Sequence, residues 1–290
     1  MDKEKGSEDT SEELKKSSEF AAREAAELGL AVNHACAVAA AARSGMKNGV
    51  TIRFMEVEGI DREEFLLMPR KRLFGSSGHR ADTPDRWFRY SYNKLRLCNI
   101  KVLLSTDITD IVAASERTAL ACFYENGSVT ELVPEWSFDE RGGKWSVLYS
   151  ERECGDIPLA KTRYPDNTEG LRDILCRMAG IADELGFDGC CSEFRAAIFE
   201  LDKNTVWHED DPDPETGRGA GAPLIRYPVL PQQNAAIYNT ACRSPSIMGE
   251  WYGEMLAAAE ERGRVVELAE LAKELTKQQR LAMLYAVNES

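Results

Sequence analysis

The stretch ALACFYENGSVTELVPEW, residues 119–136, decides the fold class of this chain. Two runs of apolar and aromatic residues flank Asn126-Gly127, a dipeptide that tolerates the two positive φ angles of a type I′ turn. The stretch therefore predicts a β-hairpin. EWSFDERGGKWSVLYSE, residues 135–151, predicts a second hairpin that turns at Gly142-Gly143.

Further strands are predicted on the N-terminal side of these hairpins, in VTIRFMEVEG (50–59), EEFLLMP (63–69) and IKVLLST (100–106). DTPDRWFRYSYNKLRLC (82–98) predicts a helix, because Thr83 suits the N-cap and Pro84 the first helical position, although its aromatic content also suits a strand. The whole region predicts an antiparallel sheet of about four to six strands.

Helices are predicted on both sides of the sheet. Small and apolar residues recur in steps of four and three from Leu14 to Ala39, which predicts one long helix or two helices over 11–28 and 30–43. These helices are expected to cover an open face of the sheet or to form an oligomer contact. The predicted C-terminal helices cover 168–186, 188–202, 244–263 and 264–287, and the last of them divides in two if Thr276 and Gln279 form a capping box.

Strands and helices occupy separate parts of the sequence, which is typical of an α+β fold. We predict N-terminal Ala-rich helices, a central antiparallel sheet with hairpins, and C-terminal helical hairpins. The expected organisation is a disordered tail at 1–10, a helical segment at 11–48, a mixed antiparallel sheet region at 49–165, and a helical region at 166–290 packed on the sheet as one unit.

Composition predicts an acidic cytoplasmic protein. The formal net charge is −13, the hydrophobic fraction is 43%, and no apolar run is long enough to span a bilayer. The charged N-terminus does not resemble a signal peptide, and the eight cysteines contain no C-x-x-C pair, so we expect reduced thiols and no membrane partner.

One basic segment stands out against this acidity. Residues 70–101 contain nine Lys and Arg and only two Asp, so the segment carries +7 and the rest of the chain −20. Aromatic residues lie among the cations, and the loop GSSGHR offers backbone N–H groups and hydroxyls to an anion. The candidate ligand-binding residues are Arg70, Lys71, Arg72, Ser76, Ser77, His79, Arg80, Arg86, Trp87 and Arg89.

Three functional hypotheses fit this segment. The first is a binding or regulatory protein that takes an anionic small molecule, a nucleotide or a short single-stranded nucleic acid. The second is an enzyme that acts on a phosphorylated or other anionic substrate, with a divalent metal as an option. The third is a protein–protein interaction module, and a homo-oligomer is also expected. The alternative to all three hypotheses is that the segment has no ligand and its cations pair with the acidic remainder of the chain.

Catalytic and metal-binding signals are weak. The sequence contains no nucleotide-binding, zinc-protease or nucleophile-elbow motif, so we expect no cofactor and favour a binding protein over an enzyme. His79 is the one catalytic candidate, since it shares a loop with two serines. His208, Asp211 and Asp213, in the oxygen-rich stretch HEDDPDPE, are the candidate metal ligands, although a solvated loop is the simpler interpretation.

Overall fold

The computed structural model describes residues 30–48, 54, 60–72, 75–104, 118–155, 161–203 and 229–290, with the backbone course alone at 70–72, 75–77 and 243–250. Six strands form one sheet: β1 Ile60–Arg72, β2 Gly75–Ala81, β3 Leu97–Leu104, β4 Thr118–Tyr124, β5 Val129–Asp139 and β6 Lys144–Glu153. The helices are α1 (30–48), α2 Pro84–Leu95, α3 Thr168–Leu185, α4 Asp188–Lys203, α5 Gln232–Glu261 and α6 Val265–Asn288.

The fold is α+β, with helices on both sides of a central sheet in the chain order. The strand order is β2-β1-β6-β5-β4-β3, and each neighbouring pair is antiparallel except that of β1 and β6, which is parallel. The sheet is therefore mixed rather than wholly antiparallel. The two predicted hairpins form its middle, and the parallel pair joins them to the hairpin of β1 and β2.

The hairpin of β4 and β5 turns differently from the prediction. Gly127 has a φ of 81°, but Asn126 is not among the positive-φ residues, so the turn is not type I′. Gly127 donates its N–H to the carbonyl of Tyr124, and Tyr124 donates to the carbonyl of Ser128. This is a three-residue loop in which a type I turn precedes a left-handed glycine. The Asn126 side chain accepts from the N–H of Ser128 at 3.0 Å, which fixes the loop without a strained asparagine.

Helix α1 covers the inner face of the sheet. Ala35, Ala39 and Ala42 of α1 are fully buried. Because alanine side chains are small, the α1 backbone packs close to the neighbouring elements. On one side His34 contacts Tyr149 of β6, and on the other Asn33 accepts hydrogen bonds from Tyr238 and Cys242 of α5. The described part of the Ala-rich segment is thus a middle layer between the sheet and the C-terminal helices, and this face is not available to an oligomer contact.

The C-terminal helices follow the prediction except at two points. Helix α5 begins at Gln232, well before the predicted start at 244. The prediction was wrong because Ser244-Pro245 has the sequence pattern of a helix start. Helix α6 is continuous, and Thr276 donates its hydroxyl to the carbonyl of Ala272 rather than capping a second helix. Helices α3 and α4 form the predicted hairpin, which turns at Gly186 with a φ of 89°.

Helix α6 ends against β3, which is an outer strand of the sheet. The Asn288 side chain accepts from the N–H of Val102 at 2.8 Å and donates to the carbonyl of the same residue at 3.0 Å. Arg43 of α1 donates to the neighbouring carbonyl of Ile100 at 3.3 Å. These side chains satisfy backbone groups that an unpaired edge leaves to water or to another chain.

Several predictions fall outside the described residues. They are the disordered tail at 1–10, the helix at 11–28, most of the strand at 50–59, and the candidate metal ligands His208, Asp211 and Asp213. Within the described ranges, none of the helices combines the length and the apolar character that a bilayer crossing requires.

Candidate functional site

The basic residues and the serine loop meet on one hairpin. The register of β1 and β2 places Arg70 opposite Ser77, Lys71 opposite Ser76, and Arg72 opposite Gly75. Five of the predicted ligand-binding residues therefore lie together at the far end of the hairpin, and we call residues 70–77 the hairpin end. This juxtaposition follows from the strand pairing, which the loop prediction for GSSGHR did not include.

A buried carboxylate fixes the base of the hairpin end. The β1–β2 register shifts between Leu67 and Arg70, and there the N–H of Met68 donates to Glu151 of β6 at 2.9 Å. The same carboxylate accepts from the Tyr124 hydroxyl at 2.9 Å and from the Thr130 hydroxyl at 2.7 Å. Glu151 thus ties three other strands together, and the bulge redirects the chain just before the three consecutive cations.

Arg80 pairs with an acid of its own sheet. Its guanidinium donates to Glu64 of β1, and Arg62 pairs with the other oxygen of that carboxylate. The hydrogen bond from Arg80 and the nearby charge of Arg62 hold the pKa of Glu64 below its ordinary value. Glu64 therefore stays ionised. Arg80 pairs with this carboxylate of its own chain, although the Arg80 side chain is 63% exposed.

Helix α2 neutralises its own arginines. Arg86 pairs with Asp82 at 2.7 Å and Arg89 pairs with Asp85 at 2.9 Å, each one helical turn apart. Thr83 accepts the N–H of Arg86 at 3.2 Å and Pro84 opens the helix, which confirms the predicted start. These exposed pairs add little stability, but they neutralise two of the three cations of the helix, Arg86 and Arg89, and leave Lys94.

Trp87 belongs to the core and not to a ligand surface. Its indole is 0% exposed and stacks on Phe65 at 5.1 Å, and Phe65 stacks on Tyr149 at 5.0 Å. His34 of α1 continues the column by stacking on Tyr149 at 5.6 Å. The four rings connect α2, β1, β6 and α1, so the ring of Trp87 cannot stack on a base.

His79 and Arg80 lie on opposite faces of the sheet. His79 stacks on Tyr90 of α2 at 3.8 Å, on the same side as buried Ala81, whereas Arg80 lies opposite the exposed side chain of Leu66. No hydrogen bond joins His79 to any residue in the described ranges. Among the candidates whose side chains the structure describes, His79, Arg80 and Trp87 do not converge on one site, and none of the described side chains gives His79 a base or nucleophile within hydrogen-bond reach.

The structure also contains a polar cluster around His34, a residue that the sequence did not single out as a candidate. His34 is buried, with Nδ1 at 2.9 Å from the Tyr149 hydroxyl and Nε2 at 3.4 Å from Glu63 Oε1. Because Nε2 faces a carboxylate, the imidazole proton belongs on Nε2, and Nδ1 accepts from Tyr149. Burial above all, with Glu63 and Cys36 nearby, raises the pKa of the Tyr149 phenol well above its ordinary value. The cluster connects α1 to β1 and β6. Its residues are far apart in the chain, so no local sequence pattern predicts it.

The thiols and carboxylates offer no evident metal centre. All eight cysteines are free thiols, and the adjacent Cys190 and Cys191 are both buried in α4. Among the residues that the structure describes, no three His, Cys, Asp or Glu side chains group in a way that could hold a metal ion.

The comparisons with known proteins do not identify a function, so a function can be argued only from the residues of the chain itself. No protein-family profile, no curated protein and no solved structure matches this sequence or its fold.

Proposed function

We propose that this chain is a binding protein that holds the phosphates of a nucleotide or a short single-stranded nucleic acid at the hairpin end. The observation that carries the proposal is the strand register, which sets Arg70, Lys71 and Arg72 against the Ser76-Ser77 pair. Arginine forms two parallel hydrogen bonds with a phosphate, and serine hydroxyls and backbone N–H groups complete its coordination.

The pairing of the other cations supports this location. Arg80, Arg86, Arg89, Arg96 and Lys101 each contact a carboxylate of the chain itself. Internal pairing thus accounts for five of the six cations from Arg80 to Lys101, with Lys94 as the exception within the described ranges. We therefore place the site at the three cations that begin the segment. The acidic remainder of the surface repels phosphates, which favours a short ligand over a long nucleic-acid track.

The aromatic residues support recognition of phosphates rather than of bases. Trp87 is buried, His79 stacks on Tyr90, and Phe88 stacks on Tyr92 at 5.5 Å. Trp87 and Phe88 are buried, and the ring faces that His79 and Tyr90 turn towards each other are not open to a base. We therefore expect similar affinity for short oligonucleotides of different sequence. The proposal is for a binding site rather than an active site, because the residues expected to act together point to different faces of the sheet.

A pair of matched variants tests this function. Arg70→Gln/Arg72→Gln is expected to weaken binding of a labelled short oligonucleotide by about tenfold or more, because two charged contacts to phosphate are lost. Arg86→Gln/Arg89→Gln removes the same charge from the same segment but from residues already paired with Asp82 and Asp85, so a change below about twofold is expected. Fluorescence anisotropy at low salt measures both, and thermal melting checks that each variant is folded.

Equal weakening by the two double variants would show diffuse attraction to the segment and would overturn the assignment to the hairpin end. Absence of binding at low salt, where the electrostatic contribution is largest, would overturn the function itself.

A further inference from the structure

The C-terminal half of α6 is largely buried. It belongs to a helix that packs against α5, α3 and β3, and Arg280 lies within the buried stretch from Gln279 to Asn288 with 9% of its surface exposed. Met283 and Leu284 follow one turn later on the same side of the helix, and both are buried. Arg280 is thus a cation recessed among apolar side chains.

Arg280 has no partner for its charge. Within the described ranges it forms neither a hydrogen bond nor an ion pair, and burial alone lowers the pKa of its guanidinium. Arg43, which is partly buried, differs in this respect, since its two terminal nitrogens donate to Asn99 Oδ1 at 2.9 Å, to the Ile100 carbonyl at 3.3 Å and to the Ser290 carbonyl at 2.8 Å. A guanidinium that is largely removed from water and lacks such partners destabilises the fold unless a ligand supplies them.

Two buried amides on the same helix pair are also unsatisfied. Gln279 of α6 leaves its Nε2 without an acceptor, and Asn239 of α5 leaves both of its amide atoms without partners. Buried polar side chains rarely stay unpaired in folded proteins, and three on one pair of packed helices call for a common explanation.

We propose that the α5–α6 helix pair binds a small oxyanion, a phosphate or a carboxylate, through the guanidinium of Arg280, with Gln279 as an additional donor. The planar guanidinium matches two oxygens of such a group. Only 9% of the surface of Arg280 is exposed. This opening admits a small anion but is too narrow for a strand of nucleic acid or a peptide. This site is separate from the hairpin end and does not depend on the proposed function.

Inorganic phosphate is the probe that tests this site, with thermal melting as the readout and chloride at equal ionic strength as the reference. Saturating phosphate is expected to raise the Tm of the wild-type chain by roughly 5 °C. Arg280→Met is expected to lose this rise, and in phosphate-free buffer its Tm is expected to equal or exceed that of the wild type, because an uncompensated charge has been removed.

Arg43→Met is the matched control. It removes a partly buried arginine whose two terminal nitrogens have partners in the chain, so its Tm should fall in both buffers while the rise with phosphate persists. General stabilisation by phosphate acts on all variants alike, so only the difference between variants reports the site. An equal phosphate response in the wild type and Arg280→Met would overturn the proposal, and so would a large loss of Tm for Arg280→Met in phosphate-free buffer.

Discussion

Trp87→Ala is expected to lower the free energy of unfolding by about 3–5 kcal/mol, the range for deleting a large aromatic side chain from a core. The indole is fully buried and forms the α2 end of the stacked column with Phe65, Tyr149 and His34. Its removal leaves a cavity between α2 and the sheet. Denaturant unfolding measured by circular dichroism gives the change.

Trp87→Phe is the control for this variant. It keeps a ring against Phe65 and removes the indole N–H, which is buried without a hydrogen-bond partner. We expect a loss below about 1.5 kcal/mol and unchanged oligonucleotide binding. Two results would contradict the core role of Trp87 and support a role in ligand binding. They are a Trp87→Ala variant as stable as the wild type, and a Trp87→Phe variant that is stable but does not bind.

Asn288→Ala is expected to cost about 2–4 kcal/mol, because it leaves the N–H of Val102 without a partner and its carbonyl with only the long hydrogen bond from the Tyr164 hydroxyl at 3.5 Å. Asn234→Ala is the matched control. Asn234 makes one hydrogen bond, from Nδ2 to the Ala286 carbonyl at 3.0 Å, and it is only partly buried, so about 1 kcal/mol is expected. Denaturant unfolding of the two variants under the same conditions makes the comparison.

Asn288→Asp adds a test by pH. A protonated carboxyl can both accept from the Val102 N–H and donate to its carbonyl, whereas a carboxylate can only accept. The neutral form is therefore favoured in the folded state and the pKa of the new carboxyl is raised there. Its stabilising contribution should be present at low pH and be lost as pH rises through the folded pKa. A flat difference from the wild type across this range would contradict the paired hydrogen bonds at Val102.

Local patterns predicted most elements of the fold, but β2 was missed because GSSGHR has the composition of a loop. Thr83 and Pro84 mark the start of α2, Gly186 marks the end of α3, and both hairpins lie where their turn residues place them. The parallel pairing of β1 with β6 could not be predicted, because it joins segments far apart in the chain and depends on the packing of α1. The early start of α5 was missed because Ser244-Pro245 is a typical start signal even inside a helix.

The site was only partly predictable for a similar reason. The pairs of Asp82 with Arg86 and of Asp85 with Arg89 are readable from their spacing of four. The alignment of Arg86 with Arg89 on one face of α2 also implies that Trp87 and Phe88 face the other way, into the core. The pairing of Arg80 with Glu64, the cluster around His34 and the unpaired charge of Arg280 depend on tertiary contacts and have no local signal.

The salt dependence of oligonucleotide binding tests the central claim most directly. If three cations at the hairpin end contact three phosphates, the logarithm of the binding constant should fall with the logarithm of salt concentration with a slope of about −2, or about 15-fold between 50 and 200 mM salt. The variant Arg70→Gln/Lys71→Gln/Arg72→Gln should bring this slope close to zero. A slope that the triple variant leaves unchanged would contradict the account and would place the binding surface elsewhere on the chain.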